Sequence, residues 1–573
     1  MGVCNTTPTN GPSAQEILQC FDRKVKMIRS ATCMSLPLPP QLSLPTHHAC
    51  LDKFDPVSCS LVTTLVSRLP NKSSSCDPLP CRFLKSCIDI LAPFLTNLFN
   101  RSLSFGVFPA LWKHATVFPI LKKGKSNSQD ASSYRPISNL PLLSKLLERI
   151  VSVQIRSYLK SNQLLPPLQS AYRPNHSTET SLLKLSSDVL HLLDNGKMCL
   201  LSFLDMSSAF DTVDHQTLLQ KLHASYGFNG PVFRWTCSFI SGRTMAVSFK
   251  SKCSSLLSLD CGVPQGSVLG PLFFVLYVSD IINRVQAHNL NVHLYADDVQ
   301  IYGSCNQAET SLISSRLSLC LDDVISWFGG HRLLLNEEKT QFLWCASRQR
   351  KSFIPEESIR VGSIFVAPSN SVRCLGLHFD NHLSFNVHIS RCVSLCFAVL
   401  RQVRSIRRSL DRSTLTSGVS SLIISRLDYC ISLLYGLPND QLKRLQSVLN
   451  ACARVIFFSP RFSPTSPLLR QLGILPIEKR IEHRIALITH KCLYGKAPDY
   501  LSASIMPCSS APHLSRLRSS TSSRLILPPS RRKTLGGRAF PSAAAKIWNG
   551  LPAEEASVEN TSCFKKKVKN FLL

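Results

Sequence analysis

The sequence predicts an α+β fold, on three observations. "MCLLSFLDM" (198–206) is a continuous apolar strand that runs into a carboxylate. "LYADDVQIY" (294–302) reads as a hairpin between two short apolar runs. Around them lie segments with apolar residues at helical spacing, placing an α+β domain at roughly 80–380. At 573 residues the chain exceeds one core, so several subdomains are expected. A composition of 44% hydrophobic and 17% charged residues is that of a globular protein. The charge is the unusual quantity: 65 Lys and Arg against 35 Asp and Glu leave +30. Such an excess favours a polyanionic partner, nucleic acid before an anionic membrane surface.

Taken in order, residues 1–75 are rich in Pro, Ser, Thr and Cys, and "MSLPLPPQLSLP" (34–45) predicts a linker-like, partly disordered lead. From 81 to about 115, "RFLKSCIDILAPFLTNLFNRSL" carries helical periodicity. "ATVFPILKKGK" (115–125) predicts a strand ending in a basic loop, and "LPLLSKLLERIVSVQIRSYL" (140–159) an amphipathic helix. After the hairpin, Ile313, Leu317, Leu321, Val324 and Phe328 share one helical face. Residues 385–455 read as all-helical, with Arg401, Arg404 and Arg408 as a basic stripe; a plain solvated face has the same pattern. From 513 to 573, 12 Lys and Arg stand against 3 Glu among Ser and Pro runs, predicting a basic arm or partial disorder.

Several classes are disfavoured. The apolar run "LGPLFFVLYV" (269–278) has half of the roughly 20 residues that a spanning helix needs, so no membrane role is expected. "MGVCNTTPTNGPS" lacks a basic region followed by an apolar one, which argues against secretion. The 23 cysteines include no CxxC pair, so they read as reduced thiols rather than a zinc site.

The carboxylates hold the chemical question. Adjacent acids repel, and strands disfavour Asp, yet Asp297 and Asp298 sit together in the hairpin. Alone they suit an ordinary turn. With Asp205 at the end of another apolar strand, they suit a site for divalent cations with oxygen ligands.

Six motifs in order resemble the reverse transcriptase of non-LTR (LINE-type) retrotransposons of the CR1/L2/Jockey-like group. They are "KKGKSNSQDASSYRPISNL" (122–140), "QSAYRPNHSTETSLL" (169–183), "FLDMSSAFDTVDH" (203–215), "GVPQGSVLGPLFF" (262–274), "YADD" (295–298) and "CLGLHFD" (374–380). "KCLYGKAPDYL" (491–501) and "RAFPSAAAKIWNGLP" (538–552) resemble the group's C-terminal part. The resemblance implies a right-hand polymerase with fingers, an antiparallel palm sheet and a helical thumb. It divides the chain into a lead to 75, an extension and fingers at 76–197, a palm at 198–380 and a thumb at 381–460. A basic C-terminal region follows at 461–573, and the reverse transcriptase domain spans about 115–380.

It also implies roles. Asp205, Asp297 and Asp298 are the catalytic carboxylates and, with the Met206 carbonyl, the ligands of two Mg²⁺ ions (Mn²⁺ as substitute). Phe210 is the gate against a ribose 2′-hydroxyl. Lys122, Lys123, Arg135, Gln265 and Lys339 border the nucleotide; for the lysines an ordinary solvated position remains open. Leu375 and Gly376 form the primer grip, and Arg401, Arg404 and Arg408 contact the nucleic-acid backbone. Expected partners are an RNA template, a DNA primer or target and dNTPs, in nucleus and cytoplasm. Residues 1–80 lack the family's endonuclease, so a truncated copy or a mispredicted gene fragment is expected. The competing readings are an inactive or co-opted RNA-binding protein and, against Phe210, an RNA polymerase.

Overall fold

Two β-sheets organise the chain, each within its own unit. The computed structural model describes residues 11–32, 49–71, 77, 79–122, 129–510 and 524–573. One unit comprises Met1–Pro166, Asp205–Arg284 and Asp322–Asn336; the other comprises Pro167–Leu204, Val285–Leu321 and Glu337–Leu573. The chain is α+β, as expected. No helix among the described residues is long and apolar enough to cross a membrane.

The first unit's sheet contains β1 (His114–Leu121), β2 (Tyr134–Asn139), β4 (Arg243–Phe249), β5 (Lys252–Cys253) and β6 (Leu257–Leu259). Its order is β2-β1-β4-β5, with β6 also on β4. Only β1 and β4 run parallel. Helix Ala14–Ala31 lies on this sheet, its Ile17 and Leu18 packed with Val117 and Val247. Helix Gly270–Tyr277 is apolar on every side and correspondingly buried.

The second unit's sheet contains β3 (Met198–Leu204), β7 (Asn291–Tyr295), β8 (Asp298–Cys305) and β9 (Gln341–Cys345), in the order β7-β8-β3-β9 and antiparallel throughout. All seven residues of β3 are buried, which is why the strand reads as a continuous apolar run rather than an alternating one. Two hairpins follow, β10 (Ile359–Val361) with β11 (Ile364–Val366), and β12 (Ser371–Cys374) with β13 (Leu377–Asp380). One apolar core joins helix Thr178–Asp194 to helices Asn386–Ile406, Asn439–Phe457, Ile477–Leu493, Phe540–Asn549 and Thr561–Leu572.

Three expectations need correction. Within the linker-like lead, residues Ala14–Ala31 and Cys59–Ser67 are helical. Ser13 caps the first, in a reciprocal capping box with Glu16 that satisfies two orphan amides. The stretch 34–45 lies outside the described residues. At the other end, 524–573 is no loose arm: Phe540, Trp548 and Phe564 are buried, and Asp194 accepts from the Arg531 and Arg532 amides, each at 2.8 Å. The two units are built from interleaved stretches of chain, because β3 pairs with strands about a hundred residues away. Last, helix Asn386–Ile406 ends before Arg408, which stands in a 3₁₀ turn, so the basic stripe leaves the helix after Arg404.

Candidate active site

The "YADD" turn is built and held within the second unit. The register pairs Tyr295 with Asp298 and leaves Ala296 and Asp297 as a two-residue loop. Ala296 takes a φ of 57°, the left-handed region that a side chain enters only at a cost. Gln169 holds it there. Its side-chain carbonyl accepts from the Ala296 N–H at 3.0 Å, and its amide donates to the Ala296 carbonyl at 3.4 Å. The same oxygen accepts from Ala171 N–H at 2.9 Å, and Gln169 is fully buried. The backbone supports the arrangement, since Leu294 N–H donates to Leu168 and Ser170 N–H to Leu294. "QSAY" is therefore a splint on the hairpin. Burial pushes the Tyr172 hydroxyl pKa up, and the nearby Asp297 charge pushes it further.

Along the sheet, β3 meets β8 up to the pair Leu204–Val299. The residue following β3 is Asp205, and the one preceding Val299 is Asp298. Asp205 opens the first unit's second segment, where its carbonyl accepts from Asn336 N–H at 2.8 Å. Met206 bridges Leu335 through that bond and one from Ser207 N–H to Leu334, neither of which uses the Met206 carbonyl. Among the described residues, no three His, Cys, Asp or Glu side chains form a ready cage for a metal ion. Carboxylates and a backbone carbonyl offer only oxygen donors, which suit a cation that keeps water and phosphate among its ligands.

The first unit carries four of the residues expected at the nucleotide. Phe210 is half-buried and stacks on Phe274, with centroids 4.3 Å apart and planes 20° from parallel. Its carbonyl accepts from Val263 N–H at 2.8 Å, which ties this segment to the "GVPQGS" turn. In that turn the Gln265 amide is engaged: it donates to both oxygens of Asp211, at 2.9 and 3.1 Å. The Gln265 carbonyl accepts from Ser138 N–H at 2.8 Å. Gly266 is required at its place, with φ 132° and a Cβ that would fall 2.2 Å from the Ser138 carbonyl oxygen. Sequence reasoning missed Asp211, whose burial raises its carboxyl pKa to about 6 against the Gln265 hydrogen bonds. Arg135 is exposed on β2. Lys122 donates through its ammonium to the Ser132 carbonyl at 2.6 Å. Lys123 lies outside the described residues.

The remaining residues belong to the second unit. Lys339 is exposed in a 3₁₀ turn, Glu337–Lys339. Leu375 and Gly376, with φ of 45° and 87°, form the two-residue loop of the β12–β13 hairpin, a pattern that suits a primed turn. The Tyr429 hydroxyl donates to the Leu375 carbonyl and props that loop. Arg401, Arg404 and Arg408 are all exposed.

Residues 120–379 match the reverse transcriptase (RNA-dependent DNA polymerase) family. That similarity covers less than half of the chain. The chain is 27% identical over 467 residues to the probable RNA-directed DNA polymerase from transposon BS of Drosophila melanogaster, covering 78% of this chain and 49% of the relative. The RNA-directed DNA polymerase from mobile element jockey of the same species is 29% identical over 358 residues, covering 61% and 37% respectively. The X-element's probable polymerase, also from that species, is 27% identical over 478 residues, covering 80% and 49%. The chain therefore spans about half the length, or less, of these curated relatives. The match to the LINE type stands with these relatives. The matched stretch contains every expected site residue except Arg401, Arg404 and Arg408, which follow it.

Proposed function

We propose that the chain is an RNA-directed DNA polymerase that extends a DNA primer on an RNA template with dNTPs. The observation that carries this reading is the placement of Asp297 and Asp298 at a splinted hairpin turn inside the matched domain. Register supports assigning Asp205 to the same chemistry, because the β3–β8 pairing ends on Leu204 and Val299, whose neighbours are Asp205 and Asp298. In this reading the second unit's sheet is the palm, the first unit's sheet belongs to the fingers, and helices after 385 form the thumb.

Asp205, Asp297, Asp298 and the Met206 carbonyl would hold two Mg²⁺ or Mn²⁺ ions. Bound there, these supply Lewis-acid stabilisation of the 3′-oxygen and of the leaving pyrophosphate. The other groups belong to the chain. Phe210, backed by Phe274, would stand against a ribose 2′-hydroxyl and so select dNTPs. Arg135, Lys122 and Lys123 offset triphosphate charge as it builds on the leaving group, with Lys339 beside the same phosphates. Asp211 keeps the Gln265 turn in place beside the gate. The Leu375–Gly376 turn supports the primer end.

The test is primer extension on an RNA template with Mg²⁺ and either dNTPs or rNTPs. Extension with dNTPs is expected, lost in Asp297→Asn while RNA affinity stays within about twofold. Tight RNA binding without extension would overturn the proposal in favour of a binding protein. Extension with rNTPs at the same rate would overturn the gate.

A further inference from the structure

Beyond the matched domain, one surface of the second unit combines exposed aromatic rings with guanidinium groups. Helix Asn439–Phe457 ends at Phe458, whose φ of 55° is the left-handed cap position that ordinarily goes to glycine. Phe458 is 49% exposed, and Phe462, four residues on, is 90% exposed. The connecting loop is fixed: Arg454 donates to the Ser463 carbonyl at 3.1 and 3.3 Å, and Ser463 N–H donates to Pro460. Arginines from the preceding helices reach the same end. Arg407 lies 4.8 Å from the Phe458 ring centroid and Arg412 lies 4.0 Å from that of Phe457. Arg461 accompanies Phe462 at 5.9 Å. The nearest carboxylate in sequence, Asp411, is engaged as a helix cap by the amides of Ser413 and Thr414.

We propose that this surface is a stacking site for single-stranded nucleic acid, with bases on Phe458 and Phe462 and phosphates on Arg407, Arg412 and Arg461. Two exposed rings four residues apart, set among three guanidinium groups, suit an anionic cover with flat apolar faces. Unpaired bases offer those faces, whereas a duplex buries them in its own stack. The proposal rests on the nucleic-acid reading above and adds to it a place that grips the strand away from the reacting centre.

The experiment is fluorescence anisotropy of the full chain with a labelled single-stranded RNA, a DNA of the same sequence, and a blunt duplex, each across a salt series. Phe462→Ala, at a residue too exposed to matter for folding, should weaken single-strand binding about 5- to 50-fold, and Phe458→Ala/Phe462→Ala further. The salt slope should not change, and duplex affinity should stay within about twofold. Arg407→Gln/Arg412→Gln should instead flatten the slope. Unchanged single-strand affinity in the Phe variants would overturn the proposal, as would an equal loss on duplex. A loss confined to one sugar would also overturn it, since that marks hydroxyl reading rather than stacking. Asp297→Asn serves as the control: inactive in extension yet unchanged here, it separates failure of this site from failure of the polymerase reading.

Discussion

Ala296 is the residue at which geometry and chemistry meet most closely. A left-handed alanine opposes the turn by about 1–2 kcal/mol, and the buried Gln169 amide offsets that with two hydrogen bonds to the same peptide pair. Gln169→Leu should destabilise the chain by roughly 1–3 kcal/mol, because it strands a buried N–H. It should also lower the extension rate about 10- to 100-fold at unchanged template affinity, as Asp297 loses its fixed position. Adding Ala296→Gly should recover stability without recovering the rate, as read by thermal melts and single-turnover extension. Recovery of both would reduce Gln169 to a structural role. A second residue-scale consequence lies at Asp211. Its carboxyl, raised by burial to about 6, takes a proton in the folded chain before the unfolded chain does. Stability from this group is therefore present in acid, falls as pH rises from the ordinary carboxylate range through about 6, and stays low above it. Asp211→Asn should raise stability at pH 7.5, by on the order of 1 kcal/mol given partial solvent contact, and the gain should vanish near pH 4. A gain that grows in acid would reverse the assignment.

At the scale of elements, what the sequence makes legible depends on how local the cause is. The buried face of helix Thr310–Gly330 was readable because Ile313, Leu317, Leu321, Val324 and Phe328 repeat at helical spacing, and all five are buried. The hairpin was readable because two apolar runs flank a two-residue turn. Neither the Gln169 clamp nor the Asp211–Gln265 pair could be read so, because each joins residues 127 or 54 positions apart by geometry alone. The C-terminal segment misled for a compositional reason. Ten Lys and Arg against three Glu, with Pro and Ser between them, give 524–573 the look of a basic arm, while Phe540, Trp548 and Phe564 meet only across helices. Trp548 is one of them, packed near Phe564 at 5.7 Å. Trp548→Ala should cost about 3–5 kcal/mol, and removal of 524–573 should leave the second unit unable to fold. A truncated chain that melts cooperatively at the parent temperature would restore the loose-arm reading.

For the molecule as a whole, the governing quantity is the net charge of +30. Charge of that size does not select a fold, but it sets how the chain meets a polyanion. Part of it is structurally occupied: Arg484 and Arg480 form ion pairs with Glu179 and Asp428 inside the second unit. Arg401, Arg404 and Arg408, by contrast, are exposed beyond the matched domain. Each phosphate that such a group neutralises releases a counterion and steepens the salt dependence by about 0.9 on duplex and about 0.7 on a single strand. Affinity for an RNA–DNA hybrid should therefore fall linearly in log–log form with salt. Arg401→Gln/Arg404→Gln/Arg408→Gln should reduce that slope by about 2–3, while Asp297→Asn leaves it unchanged. Hybrid titrations from low to moderate salt measure this directly. A triple variant with the parental slope would place the nucleic-acid path on another face and leave these arginines as ordinary solvated surface.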